Sequence, residues 1–108
     1  MFSRDAAADR AFLRDVLGLP HVDSGDGWLI FKAPPAEMAV HPTDGESGHE
    51  LYLMTDDLTG TLAELAGQGI ETTEETNDQG WGTVAGVRMP GGGTLRIYEP
   101  RHPTALDL

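Results

Sequence analysis

The stretch HELYLMTDDLTGTLAELAGQGIE (residues 49–71) reads as a strand running into a helix. Its first residues alternate, with Glu50, Tyr52 and Met54 on one side and Leu51 and Leu53 on the other, the period of a strand with one buried face. Asp56 or Asp57 can then cap a helix by accepting from the first free backbone N–H groups. From there Leu58, Leu62, Leu65 and Ala66 recur at helical spacing over about 57–68, and Gly69 supplies the stop. His49-Glu50 opens like an H-E-x-x-H zinc helix. However, Leu53 stands where the second histidine must be, and the alternation is that of a strand.

The same grammar occurs upstream. From Asp5 to Leu17, Ala8, Phe12, Leu13, Val16 and Leu17 form one apolar stripe, with Arg10, Arg14 and Asp15 off it. Gly18 and Pro20 close that helix. Strands are expected at GWLIFKA (27–33) and, after the breaker Pro34-Pro35, at AEMAVHP (36–42). Downstream they are expected at IETTEET (70–76), WGTVAGVRM (81–89) and TLRIYE (94–99), the last two joined by a hairpin turn at PGGG (90–93). Those glycines do not read as a phosphate loop, because no helix follows to offer its N-terminus. The order is strand, helix and three strands, twice over. The frames Asp5–Gly18 and Asp57–Gly69 match, and each half ends on an apolar strand and a proline, Pro42 and Pro100. The repeat lies in pattern rather than identity, and it gives an α+β fold class.

The 108 residues suit one domain, and 39% apolar with 23% charged residues is an ordinary globular balance. Eighteen acids against seven Lys plus Arg leave a net charge of −11, which disfavours nucleic acid as a partner. That acidity serves solubility and would favour a cationic ligand. No apolar run approaches the ~20 residues of a membrane span, so no membrane partner is expected. The start MFSRDAAADR does not read as a signal peptide. With no cysteine there is neither disulfide framework nor thiolate metal site nor thiol nucleophile, and a cytoplasmic location is expected.

The segments DRAFLRDVLGLP (9–20), GWLIFKAP (27–34), HELYLMTDDL (49–58), LAELAGQGIE (62–71), QGWG (79–82) and MPGGGTLRIYEP (89–100) together resemble the vicinal oxygen chelate superfamily, the glyoxalase, bleomycin-resistance and extradiol-dioxygenase group. The resemblance covers almost the whole chain. It implies a single domain of two βαβββ modules, about 1–47 and 48–100 with a tail at 101–108, whose curved sheets form a cleft. Metal-using members draw two ligands from each module. Transferred position by position, the first ligand would precede Met1, so the first strand is truncated. The others fall near Met38 or Ala39, on Glu50, and on Arg96, where metal users carry a carboxylate. The truncated strand leaves a sheet edge that a homodimer could cover.

Alternation supports the same placement. Thr94, Arg96 and Tyr98 face away from Leu95 and Ile97, so Glu50, Tyr52, Met54, Trp81, Arg96 and Tyr98 are expected to line the cleft. A Glu50–Arg96 ion pair is expected where a metal would sit, with Glu50 orienting a ligand rather than acting as a base. Trp28 and Trp81 stand at matching strand starts. Core packing is the plainer role for Trp28, whereas Trp81, in the glycine-flanked DQGWG (78–82), could stack a planar or cationic ligand. The expected function is metal-independent binding of a small-molecule ligand, without a cofactor and with no catalytic residue assigned. The alternative is a divalent-metal-dependent lyase, isomerase or dioxygenase using His41, His49 and Glu50, with His21 a further candidate. A partner-binding module with a self-filled cleft is a third reading. Ser3, Ser24 and Ser47 lack the setting of a nucleophile. His102 is expected in solvent, and Glu71, Glu74, Glu75 and Asp78 as a solvated acidic face.

Overall fold

The computed structural model describes residues 1–108, apart from the side chain of Glu75. Asp5 caps helix α1 (Ala6–Ala11), its Oδ1 accepting from the Ala8 N–H at 3.1 Å. The helix widens into a π-helical turn, Phe12–Val16, closed by a bond from Leu17 N–H to the Phe12 carbonyl at 3.1 Å. Gly18 then leaves the helix at φ +66°, a left-handed step that costs glycine little. The wide turn sets Phe12 into the core, with Leu13, Val16 and Leu17 packed half-buried against it.

Strands β1 (His21–Asp23) and β2 (Leu29–Phe31) pair as a short antiparallel hairpin, with Val22 opposite Ile30. β2 lies inside the strand expected over 27–33. β1, with only three residues, is too short to carry a period and leaves no signal in the sequence. The strand expected over 36–42 is absent: residues 32–51 form neither helix nor strand. Pro34, Pro35 and Pro42 remove backbone donors there, and the segment pairs with no neighbouring strand in this chain, which an alternating pattern needs before it becomes a strand.

The remaining elements are β3 (Tyr52–Met54), α2 (Leu58–Gly67), β4 (Thr72–Asp78), β5 (Gly82–Arg88) and β6 (Thr94–Pro100). They build a mixed sheet in the order β3-β6-β5-β4, with β3 parallel to β6 and the other pairs antiparallel. Asp57 caps α2 by accepting from Gly60 N–H at 3.0 Å, and Gly69 ends it at φ +81°. The turn between β5 and β6 closes through Met89 and Gly93, whose N–H and carbonyl bond at 2.8 Å. β4 carries register shifts along its length, the form of a protected edge.

One face of this sheet holds the core. Ala85, Val87, Leu95 and Ile97 pack with Leu58 and Leu65 of α2, and with Phe12 and Met89. Both helices thus cover the same face. Glu99 Oε1 accepts from Leu58 N–H at 2.9 Å and pins the start of α2 to β6. Asp9 Oδ1 accepts from Gly91 N–H at 2.7 Å and fixes α1 to the hairpin turn. A Cβ at Gly91 would crowd the Ser3 hydroxyl and come within 2.5 Å of Asp9 Oδ2, so any larger residue there displaces these side chains and strains the Asp9 contact. The result is an α+β fold of two helices and mixed sheets, and none of its described helices is long and apolar enough to cross a membrane.

Candidate functional site

The opposite face of the four-stranded sheet carries the polar and aromatic side chains. Parallel pairing sets Tyr52 beside Arg96 and Met54 beside Tyr98, and antiparallel pairing sets Val84 beside Tyr98 and Gly86 beside Arg96. Trp81, just before β5, completes a cluster of three rings. The ring centres of Tyr52 and Tyr98 are 5.7 Å apart, those of Trp81 and Tyr98 5.2 Å, and those of Tyr52 and Trp81 6.0 Å. All three pairs meet edge to face, the arrangement that brings ring edges against electron-rich faces. Tyr98 is 8% exposed and Trp81 38%, so the trio runs from a buried base to an open rim. Gly82 makes room for it, since a Cβ there would lie 3.0 Å from Tyr98 Cδ2 and 2.8 Å from the Glu99 carbonyl oxygen.

Charges flank the rings. The Tyr52 hydroxyl donates to Glu50 Oε2 at 2.7 Å, although Glu50 precedes β3 and is exposed. Arg96 donates through both Nη2 (2.9 Å) and Nε (3.3 Å) to Glu74 of β4. The expected Glu50–Arg96 pair is therefore corrected. Arg96 turns across the sheet to Glu74, whose residue lies opposite Gly86, and Glu50 is taken by a phenol. The Glu74 hydrogen bond and charge hold Arg96 more firmly protonated than an ordinary guanidinium.

Two contributors escaped the sequence reading. Glu37, from the irregular segment, has a side chain only 16% exposed; its Oε2 accepts from Ala105 N–H at 2.6 Å, and its Oε1 lies 3.8 Å from His102 Nε2. The His102 ring lies nearly parallel to Tyr98, 6.2 Å between centres at 26°. His102 is half-buried against the trio rather than free in solvent. Arg101 N–H donates to the Trp81 carbonyl at 2.9 Å, and the Arg101 guanidinium pairs with Asp78. The tail after β6 is thus strapped across one end of the ring cluster. On the expected acidic face Glu71 and Asp78 are exposed beside Arg88 and Arg101, Glu74 is half-buried against Arg96, and the side chain of Glu75 lies outside those described.

Other expectations shift as well. Trp28 is exposed rather than packed in the core, with the Arg10 guanidinium 4.6 Å from its ring centre. His41 turns its Nδ1 to the Pro42 carbonyl (2.9 Å) and His21 turns its own to Leu19 (3.2 Å). Among the described residues no three His, Asp or Glu side chains converge as a metal set, so His41, His49 and Glu50 are not brought together. Two open grooves, of about 400 and 310 Å³, lie among residues 7–32 and include none of the expected cleft residues.

Both tyrosines of the chain hold their protons above the ordinary phenol range. Tyr52 does so chiefly through its hydrogen bond to Glu50 and then through burial, and Tyr98 through burial and then the charge of Glu37. The folded chain therefore binds more protons than the unfolded one once the pH passes about 10. Stability is complete below that value and is expected to fall as pH climbs through the folded-state titrations. Tyrosinate absorbance checks this: neither phenol should ionise at the ordinary value before the fold melts, and Glu50→Ala should bring Tyr52 back toward it. Two ordinary titrations in the folded protein would contradict the geometry.

No protein-family model matches the chain, and no curated protein matches it by sequence. Solved structures do match in fold. The antibiotic-binding protein TnmS3 from Streptomyces sp. CB03234 superimposes with a TM-score of 0.66 at 22% identity, over 91% of this chain and 88% of that one. A lactoylglutathione lyase from Agrobacterium tumefaciens gives 0.63 at 18% identity, over 92% and 88%. A virulence protein from Salmonella typhimurium gives 0.53 at 19% identity, over 91% and 90%. Helices, mixed sheets and near-complete superposition agree: this chain has the glyoxalase-like fold of the vicinal oxygen chelate proteins.

Proposed function

We propose that this protein is a metal-independent small-molecule binding protein of the glyoxalase and bleomycin-resistance type, built on two βαβββ modules. The ligand is held on the sheet face lined by Glu50, Tyr52, Met54, Trp81, Arg96 and Tyr98. The observation that carries this reading is the edge-to-face trio of Tyr52, Trp81 and Tyr98, half-open at Trp81 and flanked by charged groups. Such a surface presents apolar ring edges and faces beside a few placed polar groups, the kind of lining found in ligand sites. The fold likeness to an antibiotic-binding protein supports the same class of role. A cytoplasmic, homodimeric protein belongs to this reading, and the absence of cysteine favours the compartment.

Metal independence is favoured by the chemistry of the positions concerned. Arg96 brings a cation already paired with Glu74, and the Glu50 carboxylate is engaged by Tyr52. Calorimetric titration of chelator-treated protein with Mn²⁺, Fe²⁺, Ni²⁺ and Zn²⁺ tests it. No stoichiometric binding is the expected result. One-to-one binding at micromolar affinity would replace this reading with the metal-dependent lyase, isomerase or dioxygenase.

A further inference from the structure

Residues 32–51 form neither helix nor strand, and all of them but Glu37 are exposed. The Glu37 side chain is 16% exposed, whereas its neighbours Met38 (99%) and Val40 (100%) stand in solvent. A segment that turns apolar residues out and a carboxylate in is not burying area, since a carboxylate leaves water only where a partner holds it. The tail repeats the pattern: of residues 101–108 only His102 is drawn in. These two inward residues meet on Tyr98. The His102 ring lies nearly parallel to the phenol, and Glu37 Oε1 stands 3.8 Å from His102 Nε2. The tail itself is lightly held, with no helix or strand. Its ties are the Arg101 N–H to the Trp81 carbonyl, the exposed Arg101–Asp78 pair, and the Ala105 N–H to Glu37. An exposed ion pair adds little, and a segment with so few ties opens easily.

We propose that His102 is a built-in stand-in for the ligand: a flat aromatic cation bearing N–H groups displaces the tail, lies on Tyr98 and takes Glu37 as its counter-ion. The shape of the place supports this. A flat ring already rests on the most buried ring of the trio, where an aromatic ligand would rest. Its chemistry supports it as well. Both ring nitrogens of His102 face oxygens, Nδ1 the Pro103 carbonyl at 2.8 Å and Nε2 the Glu37 carboxylate, so the place suits a ring with N–H donors on opposite sides. Glu37 is also the carboxylate left open when the tail leaves. Glu50 keeps the Tyr52 hydroxyl and Glu74 keeps Arg96, whereas both partners of Glu37, His102 and the Ala105 N–H, depart together. A half-dry carboxylate without a partner is costly, and a cation with N–H donors removes that cost. The proposal rests on the ligand-binding reading and narrows it, from a planar molecule to a planar cation admitted by release of the tail.

Benzamidinium and benzamide, alike in shape and different in charge, test the proposal on the full chain. Nuclear magnetic resonance follows the Trp81 indole and the His102 ring during each titration. In the wild type, benzamidinium is expected to shift both together, with His102 moving to its free-solvent position. His102→Ala should bind benzamidinium at least ~10-fold more tightly, because the competing ring is gone and the open fraction rises. In that background Glu37→Gln should weaken benzamidinium by ~10-fold or more and leave benzamide nearly unchanged, since the amide keeps the shape and loses the charge. Circular dichroism should be the same for all three chains, His102 and Glu37 lying outside the hydrophobic core. Benzamidinium bound at Trp81 with His102 unmoved, or bound equally by wild type and His102→Ala, would overturn the proposal and leave the ligand-binding reading standing. Equal losses of benzamidinium and benzamide on Glu37→Gln would overturn it too. Failure of both probes to bind any of the chains would also overturn it, and a wider panel of uncharged planar compounds would then judge the ligand-binding reading separately.

Discussion

Replacing Ile97 by alanine is expected to lower the free energy of unfolding by about 2–5 kcal/mol, the range for truncating a buried aliphatic side chain. Ile97 sits on the central strand β6, beside Leu53 on one side and Ala85 on the other. It lies in the core with Leu58 and Leu65 of α2. The side chain is 2% exposed, so its removal forfeits its transfer energy and leaves a cavity against two elements at once. Domains of this size have only about 5–15 kcal/mol of stability, so much of it rests on this residue. Urea unfolding should show a large fall in midpoint with little change in slope. Leu51→Ala, at an exposed position on the same sheet's edge side, should stay within about 0.5 kcal/mol. Equal losses at the two positions would mean that the helix-covered face is not the one assigned.

The second large effect concerns the ligand. Trp81→Ala is expected to weaken binding of a planar small molecule by at least ~10-fold, because an aromatic anchor in a partly dry setting is where binding energy concentrates. Trp81 is the most open ring of the trio and makes its contacts at the rim, so the fold should lose less than it does at Ile97. Tyr98 is less clean a target, being almost buried and stacked under His102. Calorimetry with a panel of planar aromatic compounds, run on wild type and Trp81→Ala, gives the comparison. Unchanged affinity in the variant would move the site off this face.

What could be read from the sequence was local. The helices were legible because Asp5 and Asp57 cap within three residues and Gly18 and Gly69 stop them at positive φ. The two faces of β6 are legible because Leu95 and Ile97 alternate with Arg96 and Tyr98, and burial follows that alternation as far as Ile97, while Tyr98 is buried on the other face within the ring cluster. Pairings between distant residues were not legible. Arg96 finds Glu74 across 22 positions and Glu37 reaches Ala105 across 68. Alternation places a side chain on a face, but it does not rank two carboxylates competing for one arginine. Counting toward Glu50 therefore gave the wrong partner. Glu37 and His102 had no signal beyond being polar residues near prolines. The segment 36–42 failed for a different reason: its alternation was real, but within one chain it pairs with no strand.

Nuclear magnetic resonance mapping with the same planar panel, on isotope-labelled and chelator-treated protein, tests the central claim most directly. Saturable one-to-one shifts are expected at the Trp81 indole and the rings of Tyr52 and Tyr98, with no added metal. Shifts confined to the β1–β2 groove, or appearing only after a divalent metal is supplied, would contradict it.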